Sequence, residues 1–364
     1  MLLHSCSTHT RSPAADAEQP GRAGRVVRGS GRTLTVDLHC HSFVPEVEQL
    51  VKGRPEKLAE PAVQRRVMGG PSVDYNNRTM LPNAFPKLTS VELRLKDMDE
   101  MGVDVQVLSP TSVQHYYWAD LDLAREIVRT TNEKMAEACA LHPGRLLALG
   151  NVALQHPDLS VEQLEHCTRK LGMRGVEIST AVNGLELDDP RFAKFWARAE
   201  ELGCVVFIHP FGTSLGERVN RFYLQNIVGQ PLETTLALSH LIFGGVLDRH
   251  PGLKILAAHG GGYLPAYIGR SDHGYRARPD AHTMKKAPSE YLRQIHFDTL
   301  VYTPAGLRHL IGQVGIGQVV LGTDYPFDMG SYDVHGLVAA LGLSEPDQAA
   351  LLGGNAARLI GLDT

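Results

Sequence analysis

From Thr33 onward, apolar and polar positions follow a repeating pattern along the chain. Each unit has a short, β-branched apolar run, a polar residue where the run ends, and a stretch with the spacing of an amphipathic helix. The pattern predicts eight strands: Leu34–Phe43, Val103–Ser109, Leu146–Leu154, Val176–Ser179, Val205–His209, Ile255–His259, Ile295–Thr299 and Val319–Asp324. Near-continuous apolar strands that alternate with helices indicate a parallel sheet covered on its outside.

Eight strand–helix units predict a closed (β/α)8 TIM barrel of the α/β class, with its active site at the C-terminal ends of the strands. The predicted helices are Ser90–Met101, Asp120–Leu141, Ser160–Leu171, Pro190–Leu202, Pro231–Asp248 and a last helix that Ser344 caps and that runs to Leu362. Three long connections follow strands 1, 5 and 6: Pro45–Leu88, Thr213–Gln230 and Arg270–Ser289. We expect these long catalytic-face loops to shape the substrate pocket.

Composition separates residues 1–32 from the barrel predicted over residues 33–364. The first segment is rich in Arg, Gly, Ser, Ala and Pro, and its apolar start is too short for a signal peptide, so we interpret it as a disordered leader. The formal charge of −4 argues against nucleic acid or a membrane surface as partner. No apolar run is long enough for a membrane span. Five scattered cysteines without a CxxC motif indicate reduced thiols in a cytoplasmic protein.

Strand 1 contains the motif His39-Cys40-His41. Side chains alternate between the two faces of a strand, so both histidines are expected to face the barrel interior while Cys40 points toward the helices. Two imidazoles that converge inside a barrel suit Zn²⁺ or a similar metal. The motif by itself is a weak signal for a metal, and two structural histidines that are satisfied by hydrogen bonds are the favoured alternative.

Three further strand ends favour the metal site. Strand 5 ends at His209, strand 6 at His259 and strand 8 at Asp324. All three residues stand where an apolar run stops, so they are expected at the same mouth of the barrel as the HxH motif. Such a convergence would be unusual for core packing. The sequence therefore predicts a metal site with the ligands His39, His41, His209 and Asp324.

The remaining histidine suggests how the chemistry is divided. A catalytic metal keeps one position open and lowers the pKa of its bound water to about 7. His259, which three glycines follow, is expected to hydrogen-bond that water and move its proton, and Asp324 to relay a proton as well as bind the metal. Strand 4 carries Glu177 and no lysine that would bridge two metals, so one divalent ion is expected. Zn²⁺ is preferred, with Mn²⁺ as the alternative.

These motifs resemble the amidohydrolase superfamily and, more narrowly, its 2-amino-3-carboxymuconate 6-semialdehyde decarboxylase-like branch. The similarity runs from about Thr35 to the C-terminus. It rests on HxH, HP, HGGG and TDYPF at the strand ends and on these further stretches: Tyr117-Trp118-Ala119, Val182-Asn183, the segment from Ile227 to Thr235, Gly244-Gly245-Val246, the segment from Gly269 to Asp280, and Gly354-Asn355-Ala356.

The resemblance implies an enzyme with a divalent metal, usually zinc, that decarboxylates small unsaturated or aromatic acids without oxidation. It implies the same four metal ligands and His259 as the catalytic histidine. Arg270 and Arg278 match two arginines that bind the substrate carboxylate, as a bidentate guanidinium can. In the family one arginine of this stretch is lent across a dimer interface, so the resemblance also implies a homodimer.

One region departs from the family pattern. The catalytic arginine that the family carries before the helix opening at Ser90 has no clear match, and Arg78 is the nearest candidate in this chain. Trp118 and Phe211, together with Tyr116 and Tyr117, are candidates to line a pocket for a planar acid, although Tyr116 and Tyr117 are equally compatible with core packing. This departure leaves the substrate open and does not affect the metal site.

The predicted reaction is a metal-dependent decarboxylation in which arginines hold a planar acid and His259 handles the proton. A hydrolase or hydratase acting on a lactone, an amide or a conjugated acid is the alternative, because the metal ligands do not distinguish these reactions. A non-catalytic barrel is a third reading, which the loss of a ligand would support. The sequence retains all four predicted ligands.

Overall fold

The structure, a computed structural model, describes residues 33–362. The predicted leader, residues 1–32, and the last two residues lie outside the described residues, so the predicted division of the chain at residue 33 stays a prediction. Within residues 33–362, no helix combines the length and the apolar character that crossing a membrane requires.

The described residues contain the eight parallel strands of the predicted barrel. They are β1 (Val36–Ser42), β2 (Val105–Pro110), β3 (Leu146–Ala148), β4 (Gly175–Ser179), β5 (Val205–His209), β6 (Lys254–Ala257), β7 (Ile295–Asp298) and β8 (Val319–Val320). Regular pairing joins β1 to β3 in chain order and β4 to β8 in chain order. Two isolated parallel bridges, Gly150–Val176 and Cys40–Tyr325, close the ring. The TIM-barrel prediction is therefore confirmed.

Helices follow most strands. The α-helices are α1 (Pro45–Val51), α2 (Pro55–Met68), α3 (Gly70–Tyr75), α4 (Leu81–Thr89), α5 (Val91–Met101), α6 (Leu121–Leu141), α7 (Pro157–Arg169), α8 (Ala193–Leu202), α9 (Gln230–Phe243), α10 (Val246–Arg249), α11 (Leu264–Ala277), α12 (Pro288–Tyr291), α13 (Pro304–Val314), α14 (Val334–Ala339), α15 (Glu345–Ala349) and α16 (Asn355–Ile360). Three segments are π-helical turns: Asn76–Met80, Gln225–Gly229 and Ala350–Gly354. A short hairpin, Ala181–Val182 with Leu185–Glu186, follows β4.

Side chains that alternate along the strands build two apolar layers. Inward-facing residues such as Phe207 and Leu256 form a cluster inside the barrel. Their strand neighbours, such as Val206 and Ile255, pack outward against the helices. Helix α16 adds Leu359 to the inner cluster and so covers the end at which the strands begin. The opposite end, where the strands finish, is left for polar groups.

The three long connections are more helical than expected from their weak periodicity. The segment predicted as a loop over Pro45–Leu88 contains α1 to α4, and the segment over Arg270–Ser289 begins inside α11. Helices α3 and α4 flank the turn Asn76–Met80, whose wider spacing disturbs the 3.6-residue period by which helices are recognised. Residues of the first two connections line a cavity at the ends of the strands, whereas no residue of Arg270–Ser289 lines it among the described residues.

Candidate metal centre

The HxH motif faces the barrel interior because β1 contains a bulge. Asp37 pairs with Gln106 and Cys40 with Leu108, so three steps along β1 match two steps along β2. A bulge places two residues opposite one, which reverses the alternation beyond it. His39 and His41 thereby point inward, and Cys40 packs in the outer apolar layer, as predicted. Simple alternation from the start of β1 would have turned the histidines outward.

The four predicted metal ligands converge in one buried group. The ligand atoms of His39, His41, His209 and Asp324 all lie within 4.8 Å of one another. The Nε2 atoms of His39 and His41 are 3.2 Å apart. Oδ1 of Asp324 lies 3.4 Å from Nε2 of His39 and 3.2 Å from Nε2 of His41. An ion with tetrahedral bonds of about 2.1 Å sets its ligands about 3.4 Å apart, so these separations fit a metal cage.

Hydrogen bonds at the far side of each ring fix which nitrogen faces the cage. Nδ1 of His39 lies 2.6 Å from Oδ2 of Asp298, and Nδ1 of His41 lies 3.4 Å from the carbonyl oxygen of Pro110. Both partners are acceptors, so the Nδ1 atoms must donate. A neutral ring that donates from Nδ1 presents the lone pair of Nε2, which is the form in which histidine binds metal.

His209 reaches the same state through a hydroxyl. The Ser112 hydroxyl donates to Oε1 of Glu177 at 3.0 Å, so it is left to accept from Nδ1 of His209 at 2.8 Å. Nε2 of His209 is buried and has no hydrogen-bond partner among the described residues. A buried acceptor without a partner is costly, and a metal ion would satisfy it.

The electrostatics of the cage call for a positive charge. Burial alone would lower the pKa of His39, but the charge of Asp324 and the hydrogen bond to Asp298 raise it to about 10. Burial tends to raise the pKa of Asp324, but the neighbouring histidines hold it well below its usual range. Burial and the charges of the other histidines lower the pKa of His209 well below its usual value. The raised pKa of His39 places a proton on its Nε2 beside the ionised Asp324 when no cation is bound, and a divalent cation would take the place of that positive charge, so the residues fit such an ion.

Asp298, at the end of β7, organises both His39 and His259. Besides the His39 ring, it accepts the backbone N–H groups of His259 at 2.8 Å, of Gly260 at 2.8 Å and of Leu300 at 3.0 Å. Sequence reasoning missed this residue, although it stands where an apolar run ends, the same signal that singled out His209 and Asp324. It was overlooked because it binds no metal and completes no HxH-like motif.

A buried polar network stands behind His209. Oε1 of Glu177 receives the Ser112 hydroxyl and lies 3.2 Å from Nε2 of His115. Nδ1 of His115 lies 2.8 Å from Oδ1 of Asn151. Burial tends to raise the pKa of Glu177, but its hydrogen bond with His115 and the charge of His41 lower it. A carboxylate thus occupies the inward position of β4, where a lysine would have indicated a second metal.

A second network lies outside β1 and holds the ligand strands from behind. Arg94 of α5 is only 2% exposed, donates to Oε1 of Gln106 at 2.9 Å and also donates to the backbone carbonyl of His41. Gln106 donates to Asp37 at 2.9 Å, and Asp37 accepts the backbone N–H and the hydroxyl of Thr323 at 3.1 and 2.6 Å. The chain of hydrogen bonds joins the strand of His41 to the strand end that carries Asp324.

His259 stands beside the cage with its ring partly free. Its Nε2 lies 3.7 Å from Oδ2 of Asp324, and its Nδ1 is buried without a hydrogen-bond partner among the described residues. The backbone of His259 has a φ of 54°, and the glycines that follow also have positive φ. A Cβ on Gly262 would lie 2.0 Å from the carbonyl oxygen of Pro231. The glycines therefore allow close backbone packing that fixes His259.

A cavity of about 210 Å³ opens beside the cage. Its strand side consists of residues at the strand ends and just beyond them: His41, Thr111, Ser112, His209, Pro210 and Asp324. Its helix side consists of residues from the connections: Gln64, Met68, Val73, Asn76, Asn77, Met80, Leu81, Tyr223, Gln225, Asn226 and Gln230. Val113, Phe211, Phe327, Asp328 and Met329 complete the lining.

The predicted aromatic residues divide between this cavity and a neighbouring groove. Phe211 lines both. The groove, but not the cavity, is also lined by Trp118, Tyr116 and Tyr117. Tyr116 is buried and donates its hydroxyl to Oε1 of Glu48 at 2.5 Å, so it serves packing as well.

The three predicted arginines lie outside both linings. Arg78 is exposed on the turn Asn76–Met80. Arg270 is exposed on α11 and has no ion-pair partner among the described residues. Arg278, at the end of α11, donates to both carboxylate oxygens of Asp280 at 2.9 Å. None of them lines the cavity among the described residues.

Comparisons with known proteins agree with this geometry. The amidohydrolase family model matches residues 36–362. The 2-amino-3-carboxymuconate-6-semialdehyde decarboxylase of Dictyostelium discoideum is 38% identical over 275 residues, 75% of this chain and 77% of that protein. The gamma-resorcylate decarboxylase of Rhodococcus jostii (strain RHA1) is 30% identical over 289 residues, 75% of this chain and 88% of that protein. The crystal structure of 5-carboxyvanillate decarboxylase from Sphingomonas paucimobilis superposes with a TM-score of 0.79 at 27% identity, over 91% of this chain and 100% of that one.

Proposed function

The chain belongs to the amidohydrolase family and is a metal-dependent carboxy-lyase, and we propose that it removes CO2 from a small planar aromatic or unsaturated acid without oxidation. The observation that carries the proposal is the buried cage of three Nε2 lone pairs and one carboxylate, open to a cavity of small-molecule size. A hydrolytic or hydrating activity is not favoured, because the relatives that resemble the chain are decarboxylases.

We propose Zn²⁺ as the ion, with Mn²⁺ as the alternative. His39, His41, His209 and Asp324 would hold it, and three imidazoles with one carboxylate suit zinc's preference for nitrogen and oxygen ligands. When bound, the ion supplies a Lewis acid and a template for substrate oxygens. One ion is expected, because the inward position of β4 carries Glu177 and not a lysine that could bridge two metals. Glu177 is held there by hydrogen bonds with Ser112 and His115.

His259 is proposed as the residue that handles the proton. Asp298 holds the His259 backbone, and the ring keeps Nδ1 free of partners among the described residues. Protonation of the carbon that carries the carboxylate weakens the bond between the two carbons. The electrons of that bond stay with the substrate carbon, the added proton takes the place of the carboxylate, and CO2 leaves. Asp324, whose Oδ2 lies 3.7 Å from Nε2 of His259, is proposed to relay the proton.

Phe211 is proposed to stack on the planar substrate, since its half-exposed ring borders the cavity, and Trp118 to contact its outer part. We retain Arg270, Arg278 and Arg78 as proposed carboxylate-binding residues. Arg270 and Arg78 are exposed and free of an ion pair among the described residues, whereas Arg278 is paired with Asp280. A homodimer in which Arg270 of the partner subunit enters the cavity would complete the site.

We also propose a cytoplasmic location. Support comes from the four cysteines in the described part of the chain, Cys40, Cys139, Cys167 and Cys204, which are free thiols. Burial raises the pKa of Cys40 well above its usual range and that of Cys167 to about 12, so both stay protonated. Protonated, buried thiols are structural rather than reactive.

The experiment is a CO2-release assay on the metal-loaded protein with hydroxybenzoic, carboxymuconic and related planar acids. We expect at least one acid to lose CO2 and to keep the rest of its skeleton. His259→Ala should keep its metal and lose turnover by about 10²–10⁴-fold, the usual contribution of a proton-transfer group. His309→Ala, an exposed histidine on α13, is the matched control. Water incorporation without CO2 release, or full activity of His259→Ala, would contradict the proposal.

A further inference from the structure

Two π-helical turns contribute amide side chains to the helix side of the cavity. The turn Asn76–Met80 contributes Asn76 and Asn77, and the turn Gln225–Gly229 contributes Gln225 and Asn226. Extra residues in a helix of this type cost stability and are frequent at functional sites. The two turns come from connections that are distant in sequence, after β1 and after β5, and meet at one cavity.

Gln225 stands out among these amides because it is buried and has no partner. Its side chain is 5% exposed, and its amide makes no hydrogen bond within the described residues. Asn226, by contrast, donates to Oε1 of Gln230 at 3.1 Å. Because this amide is reachable from the cavity rather than sealed in the core, a group held in the cavity can complete its hydrogen bonds.

The position of Gln225 adds a second indication. Gln225 lines both the metal-side cavity and the neighbouring groove that contains Trp118, so it stands at their junction. An acid whose carboxylate lies at the cage would direct its ring substituents toward this junction. The amide offers one acceptor and two donors there, which match a hydroxyl or carbonyl oxygen.

We propose that Gln225 selects the substituent of the substrate: its amide hydrogen-bonds a neutral hydroxyl or carbonyl group on the ring of the acid. The inference rests on the proposed function, since it concerns the same cavity.

The test measures binding, so that it does not depend on turnover. Benzoate and its three monohydroxy derivatives are titrated by calorimetry into the zinc-loaded protein. We expect the best hydroxybenzoate to bind about tenfold more tightly than benzoate, the value of one well-made hydrogen bond. Gln225→Leu should reduce the tenfold preference to less than about threefold while benzoate binding stays nearly unchanged.

Gln313→Leu, the same substitution at an exposed site on α13, is the matched control and should keep the preference. If Gln225→Leu does not fold, Gln225→Met, which keeps the length of the side chain, replaces it. A preference that survives the loss of Gln225, or no binding of any of these acids, would overturn the inference. A protein that shows the Gln225-dependent preference yet releases CO2 from no acid would uphold the inference and contradict the proposed function.

Discussion

The strand side and the helix side of the cavity are built by different means. On the strand side, His41, His209 and Asp324 stand at strand ends that the barrel ladder holds in register, and every imidazole has a fixed hydrogen-bond partner behind it. On the helix side, Asn76 and Gln225 come from π-helical turns in long connections, and their amides have no partners within the described residues. The first arrangement suits a fixed ion, and the second suits a ligand that supplies the missing contacts.

This difference teaches where to expect which effect. A change on the strand side should weaken metal binding and thereby lower the activity on every substrate. A change on the helix side should alter the preference among substrates and leave the metal in place. The predictions that follow begin with the largest expected effect.

Removal of a ligand should have the largest effect. His39→Ala takes one Nε2 from the cage and leaves Asp298 without its imidazole partner, so both metal and activity should be lost. Metal analysis should fall from about one equivalent per chain to near zero, with turnover reduced by at least about 10³-fold. The control is His309→Ala. Full metal content in His39→Ala would remove His39 from the ligand set.

Asp298→Asn should come next. The amide keeps the shape of the side chain but weakens the hydrogen bond that orients His39 and the contacts that hold the His259 backbone. Loss of such an outer partner typically costs about 10–100-fold in metal affinity, which competition with a chelator would measure. An unchanged affinity would show that Asp298 only supports the fold. Asp122→Asn, an exposed carboxylate in the first turn of α6, is the control.

Arg94→Met should lower the stability of the fold, because Arg94 supports the strands and does not bind the metal. The change leaves Oε1 of Gln106 and the carbonyl of His41 without their donor, and each buried acceptor left unsatisfied costs roughly 1–3 kcal/mol. Denaturant unfolding of the metal-free protein measures the loss. Lys96→Met on the exposed side of the same helix should change stability by less than about 1 kcal/mol. Equal effects of the two variants would contradict a structural role for the buried guanidinium.

Phe211→Ala should have the smallest effect of the four, and one confined to the substrate. Its ring borders the cavity and makes no contact with the cage, so metal content should stay at the wild-type level. An aromatic contact contributes about 0.5–1.5 kcal/mol, so KM should rise by roughly 2–10-fold. Trp118→Ala, which changes only the neighbouring groove, should raise KM less. A loss of metal in Phe211→Ala would contradict the prediction that this residue affects only the binding of the substrate.

The same distinction explains what the sequence could reveal. His39, His209 and Asp324 were predictable because apolar runs mark parallel strands, and such strands end at one face of a barrel. Asp298 carried the same signal and was passed over because it is not a ligand. Arg94 could not be singled out, since a charged residue in an amphipathic helix is ordinarily exposed.

The helix side could not be predicted for a different reason. The 3.6-residue period fails at π-helical turns, so Asn76 and Gln225 stood in segments that looked irregular. The bulge that turns His39 inward was also invisible, because one extra residue in β1 leaves no compositional trace. The inward orientation of His39 and His41 agrees with the prediction because residues two apart share a face on either side of a bulge.

The most direct test of the account is a titration of Zn²⁺ into metal-free protein, with CO2 release from the best acid as the measured quantity. The account predicts no release without metal and a linear rise that stops at about one equivalent per chain, with no rise in His39→Ala. CO2 release by the metal-free protein, or a rise that continues to two equivalents, would contradict a single-metal cage as the centre of the reaction.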